Sequence, residues 1–117
     1  MHKIFNRILV PVNFNSNWLL DKAIQLANLL DCDLMLVHVQ PPSLHTTGRE
    51  RESEMDQLVQ QYKTRLNEGL FLTSSIHTGY WQSVLKDVII AERIDLMIIP
   101  RGHRKINNTV IRRININ

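Results

Sequence analysis

Residues able to do chemistry gather where apolar runs end. In Arg7 to Lys22, RILVPVNFNSNWLLDK, a hydrophobic strand stops at Pro11, a short polar turn holding Asn13 follows, and an amphipathic helix begins. Parallel α/β sheets bind ligands in the crevice beyond the carboxyl ends of their strands, so this turn is the first candidate site. A second group follows the apolar run Leu96 to Ile99: Pro100, Arg101, Gly102, His103, Arg104 and Lys105. Residues 1–100 carry nine Lys/Arg against eleven Asp/Glu, whereas residues 101–117 carry five cations and no acid, so the net charge of +3 belongs to the carboxyl end. Two readings stand: a solvated helix face with a tail, which the distribution favours, and an anion site in the loop that opens at Arg101. Nucleic-acid binding is disfavoured, because the basic stretch has neither a recognition-helix motif nor interleaved aromatics.

The other reactive residue types read as structural. His38 lies inside an apolar run, where a hydrogen-bonded core histidine is expected rather than a catalytic base. His77 belongs to a different strand from the one preceding His103, and His2 and His45 fall near a terminus and in a loop. No His/Cys/Asp spacing suggests a metal site. Cys32 is the one cysteine, which excludes an internal disulfide, and its place at the head of an apolar strand suggests packing. Glu50, Glu52, Glu54 and Asp56 sit in the first turns of a helix, where acids complement the helix dipole. Trp81 is expected in the core and Trp18 partly exposed. No Ser-His-Asp order or carboxylate pair is persuasive, so no enzymatic activity is expected.

The elements that must position these residues alternate in hydrophobic period. Ile8 to Val12, Leu34 to Val39 and Leu96 to Ile99 are short continuous apolar runs, the pattern of parallel strands covered on both faces. Leu20, Ala23, Ile24, Ala27 and Leu30 mark one helix, with Asn15 or Ser16 as its N-cap. Met55, Leu58, Val59, Tyr62 and Leu66 mark a second, with a Thr47–Glu50 capping box, and Trp81, Val84, Leu85 and Val88 a third. A weaker strand, Leu70 to Ile76, lies between the last two, with Gly69 as helix stop. A short helix pattern at Ile106, Val110, Ile111 and Ile114 ends the chain. The order βαβαβαβ predicts one doubly wound α/β domain over residues 1–117. The loop QPPSLHTT, Gln40 to Thr47, reads as surface rather than as a domain boundary. No apolar run reaches the ~18 residues of a membrane span, and MHKIFNR has no signal-peptide core, so a cytoplasmic protein without membrane insertion is expected.

The strand–Pro11-Val12-Asn13-Phe14 turn, the first helix, LMLVHVQPP, and the Gly79-led helix ending in IDLMIIP together resemble the universal stress protein (UspA-like) family over nearly the whole chain. The resemblance implies a flavodoxin-like, adenine nucleotide alpha hydrolase-like sheet of order 3-2-1-4-5, a homodimer, and a role in surviving starvation and other stresses. Some members bind ATP beside the first and fourth strands. If such a site is retained, it implies Pro11, Val12, Asn13, Val39 (against the base), Gly102, Arg104 and Thr109 around ATP or another adenine nucleotide. ATP-binding members, however, typically have Asp where this chain has Asn13, and G-x2-G-x9-G-[ST] where it has one glycine, Gly102, with five residues between it and Asn108-Thr109. Arg101, Arg104 and Lys105 would have to replace backbone donors with side-chain charge. The expectation is a regulatory module that acts by protein association without a required cofactor or tight ATP binding. The alternative is a nucleotide sensor; a hydrolase ranks last.

The ending also departs from the family. RRININ leaves room only for a fifth strand near Ile114 to Asn117, or for none, as in a divergent member with a shortened C-terminus or a piece of a longer protein. Because that edge commonly joins family dimers, a homodimer of another kind, or a second domain or chain over the fourth strand, is expected.

Overall fold

Strands whose neighbouring side chains are all apolar bury both faces, and the three central strands of the sheet do so. The computed structural model describes residues 5–14, 17–42, 48–100 and 112–116. Its elements are β1 (Arg7–Pro11), α1 (Trp18–Leu30), β2 (Asp33–Gln40), α2 (Gly48–Tyr62) with a 3-10 turn at Lys63–Arg65, β3 (Leu72–Thr78), α3 (Trp81–Ala91), β4 (Leu96–Pro100) and β5 (Arg112–Ile116). The sheet is parallel throughout, in the flavodoxin-like order β3-β2-β1-β4-β5. Ile8, Val10, Leu34, Leu36, Leu96 and Ile98 face α1 and α2. Their neighbours Leu9, Met35, Val37, Met97 and Ile99 face α3.

Several sequence expectations are corrected. The third strand starts at Leu72, two residues later than expected, because Asn67 to Leu70 form a turn closed by Leu70 N–H to Asn67 O at 3.1 Å. Gly69, at φ 90°, takes the third position of that turn, where type II geometry needs a positive φ, and so does not stop the helix. Asn17, rather than Asn15 or Ser16, is the N-cap residue of α1. Ile114 lies in β5 and not in a helix; Ile106, Val110, Ile111 and Thr47 lie outside the described residues. The fifth strand is present and short, and it pairs with β4 from Leu96↔Arg112 to Pro100↔Ile116. The β4 edge expected to need a partner is therefore covered by the chain itself.

Carboxylates close the amino-terminal edge of the sheet. Asp95 accepts the N–H groups of Asn6 and Arg7 at 2.8 and 3.1 Å, and Asp33 accepts that of Phe71 at 3.0 Å. Cys32 is buried, its Sγ–H donating to Phe5 O at 3.1 Å, as its packing assignment predicted. Beside this edge, Asn28 on α1 donates to Arg65 O and accepts from Asn67 N–H, at 2.9 and 2.7 Å, clipping α1 to the turn that follows α2. Arg65 bridges to Asp21 at 3.0 Å and lies 4.8 Å over the Tyr62 ring.

Burial, followed by the hydrogen bond to Asp21 and its charge, raises the Tyr62 phenol above its ordinary pKa of 10.0. Above pH 10 the unfolded chain then releases a proton that the native state still holds, so stability falls as pH rises through this window. Tyr62→Phe should show a shallower alkaline loss than the unmodified protein, read from urea midpoints at about pH 9 and about pH 11. Equal losses would refute this linkage.

Candidate functional site

Among the described residues, the β1–α1 turn shapes the carboxyl-terminal edge of the sheet. Pairing with β2 continues one residue beyond β1, Val12 N–H donating to Val37 O at 2.9 Å, which carries Asn13 alongside the end of β2. His38 then fixes the turn: its Nδ1 lies 2.9 Å from Val12 O, and because a carbonyl only accepts, Nδ1 holds the proton. Phe14 packs on the imidazole with ring centroids 4.7 Å apart, and the Arg51 guanidinium lies 5.4 Å from the Phe14 ring. His38 is thus the hydrogen-bonded structural histidine expected from its strand position.

These contacts leave a crevice of about 200 Å³. Four expected site residues, Pro11, Val12, Asn13 and Val39, line it together. Gly102, Arg104 and Thr109, with Arg101, His103 and Lys105, lie outside the described residues. Trp18 and Trp81, each the first residue of its helix, also line the crevice. Trp18 is 41% exposed, as expected; Trp81 is half-buried, packing against the α3-side core as well as lining the site. The missed signal was position: the first helical residue after a strand stands at the same edge as the turn. Asn17, Leu19, Leu20, Val37 and His38 complete the described lining.

The lining can stack an aromatic ring between apolar surfaces and offer it amide and imidazole hydrogen bonds. None of the described lining residues is an acid, a lysine or an arginine. The volume is below the roughly 300–1,000 Å³ of drug-sized ligand sites. Among the described residues no group of three His, Cys, Asp or Glu is placed to hold a metal. His77 is away from this site, on β3, with Nε2 2.9 Å from Ser75 Oγ.

The sequence pattern described as the universal stress protein family matches residues 5–111. No curated protein sequence matches. Among solved structures, a universal stress protein UspA from Lactobacillus plantarum is similar at 19% identity and TM-score 0.65, covering 92% of this chain and 85% of its own. A universal stress protein in complex with cAMP matches at 13% identity and TM-score 0.66, with 97% of each chain covered. An Arabidopsis thaliana family protein with AMP bound matches at 15% identity and TM-score 0.59, over 95% of this chain and 90% of its own. With a family pattern spanning all of β1 to β4 and the family's strand order in the sheet, the chain belongs to the universal stress protein family.

Proposed function

We propose that the protein is a stress-response regulatory module of the cytoplasm that acts by protein association, as a homodimer or with a partner, and does not hold ATP tightly. The observation that carries this reading is the uncharged described lining of the crevice, with Asn13 at the position where the family resemblance implies an acid in ATP-binding members. A triphosphate carries several negative charges, and tight retention needs cations, helix N-termini or a metal to meet them. No enzymatic role is assigned, since the described lining has no acid–base pair or activated nucleophile. No described helix is long and apolar enough to cross a membrane.

A second reading, an adenine-nucleotide sensor, is favoured by the relatives solved with cAMP and AMP and by the meeting of Asn13 and Val39 in one crevice. Trp18 and Trp81 make the two readings separable by intrinsic fluorescence. We expect ATP, ADP and AMP to half-saturate at about 10 µM or weaker, with ATP no tighter than AMP because the site gains little from the extra phosphates. Submicromolar ATP binding, far tighter than AMP, would overturn the first reading in favour of the second. Phosphate release from ATP above a buffer control, lost in Asn13→Ala, would instead support a hydrolase.

A further inference from the structure

At the opposite edge of the sheet from β5, β3 has a second role open to it. Among the described residues no strand pairs with its outer side. Leu34 N–H donates to Phe71 O, and Gly79 N–H donates to Gln40 O. Because alternate residues of a parallel strand face a given neighbour, Leu72, Ser74, Ile76 and Thr78 turn their N–H and C=O groups outward. The segment LTSSIHT contains no lysine and no proline, two of the devices that usually blunt an exposed edge. Beside it, between β3 and α3, runs a groove of about 350 Å³. Met35, Val84 and Val88 supply apolar lining; Ser75 and His77, 2.9 Å apart, supply a polar wall; Asp87 and Glu92 on and just beyond α3 supply negative charge. Glu92 already bridges to Arg7 at 3.1 Å, which leaves Asp87 as the principal acid facing a ligand. No lysine or arginine is among the groove's described lining residues.

We infer that β3 and this groove receive an extended peptide of a partner protein by strand addition, the peptide placing alternating apolar and basic side chains over the groove. The backbone of Ser74 and Ile76 supplies hydrogen bonds of general affinity, and the groove selects side chains on one face of the added strand. Met35, Val84 and Val88 suit Val-sized groups, and Asp87 suits Lys or Arg. The inference rests on the association reading above and gives it a surface.

The probe is a fluorescein-labelled peptide, Thr-Val-Thr-Lys-Thr-Val-Thr, with a second peptide carrying Glu in place of Lys. We expect the Lys peptide to bind about tenfold or more tightly than the Glu peptide, and Asp87→Lys to remove or reverse that preference. Ser74→Pro, which removes only an outward N–H, should weaken both peptides. Amide shifts in the NMR spectrum should fall on residues 72–78 and 84–92 and spare the crevice. No binding at about 1 mM, equal binding of the two peptides, or shifts confined to the crevice would overturn the inference. So would a self-association in sedimentation that Ser74→Pro abolishes, since the edge would then belong to a second copy. Self-association unaffected by that substitution, with no peptide bound, would refute this surface while leaving the association reading intact.

Discussion

Leu36→Ala is expected to lower the unfolding free energy by about 3–5 kcal/mol. Leu36 is 0% exposed and lies on β2, with β1 on one side and β3 on the other. Its side chain belongs to the cluster that joins the sheet to α1 and α2, so truncation loses transfer free energy and opens a cavity at the centre of that layer. Collapse is restricted from every direction. Both flanking strands are held in register, and α1 is tied to the turn that follows α2 through Asn28 and Arg65. Against the roughly 5–15 kcal/mol that stabilises a typical domain, this is a large fraction of the total. Urea unfolding should show a midpoint more than about 1 M lower with an unchanged slope. A loss below about 1 kcal/mol would mean that the two helices do not seal this face.

Gly79→Ala is the second, with an expected cost of about 2–3 kcal/mol. Gly79 has φ 153°, and an added Cβ would stand 2.9 Å from Val84 Cγ2. Neither partner can move freely. Gly79 N–H is bonded to Gln40 O at 2.9 Å, and Val84 is β-branched and sits in α3, where its χ1 is nearly fixed. Relief must come by displacing the start of α3, which carries Trp81 into the crevice wall, so the variant should also alter tryptophan emission. Gly69 supplies the control: its φ of 90° is unfavourable for alanine, but nothing lies within 4 Å of the added atom. Gly69→Ala should therefore cost only the backbone strain, about 1 kcal/mol. Equal losses in the two variants would show that the Val84 contact carries no energy.

What could be read from the residues follows from which signals are local. Ile8 to Val10, Leu34 to Val37 and Leu96 to Ile99 are buried from both sides, so an unbroken apolar run identified the three central strands. The edge strands were harder because each is polar in part. In LTSSIHT the alternation is weak, and RRINI offers no apolar run, while Ile114 fitted a helical period as well as a strand. The ends of α1 and α3 were equally obscure. Both stop through a left-handed residue that is not glycine, Asp31 at φ 57° and Arg93 at φ 55°, followed by a buried residue whose N–H reaches back: Cys32 to Ala27 O and Ile94 to Ile89 O, each at 3.0 Å.

The site divides the same way. Pro11, Val12, Asn13 and Val39 were legible because strand ends define the carboxyl edge. Trp18 and Trp81 were not assigned to the site, since an aromatic next to an apolar helical stripe carries the same sequence signal whether it packs inward or lines a crevice. His38 was legible as structural but not as the residue that anchors the turn through Val12 O, a contact between positions 26 residues apart.

The central claim is that the crevice does not hold ATP tightly, and equilibrium stability with and without nucleotide tests it most directly. A ligand at 100 times its dissociation constant adds about 2.7 kcal/mol to the unfolding free energy. With about 1 mM ATP, ADP or AMP in the urea titration, the account predicts a gain of less than about 2.7 kcal/mol, and no larger a gain for ATP than for AMP. A gain of about 4 kcal/mol or more from ATP, absent with AMP, would correspond to a dissociation constant near 1 µM held through the phosphates, and would contradict it.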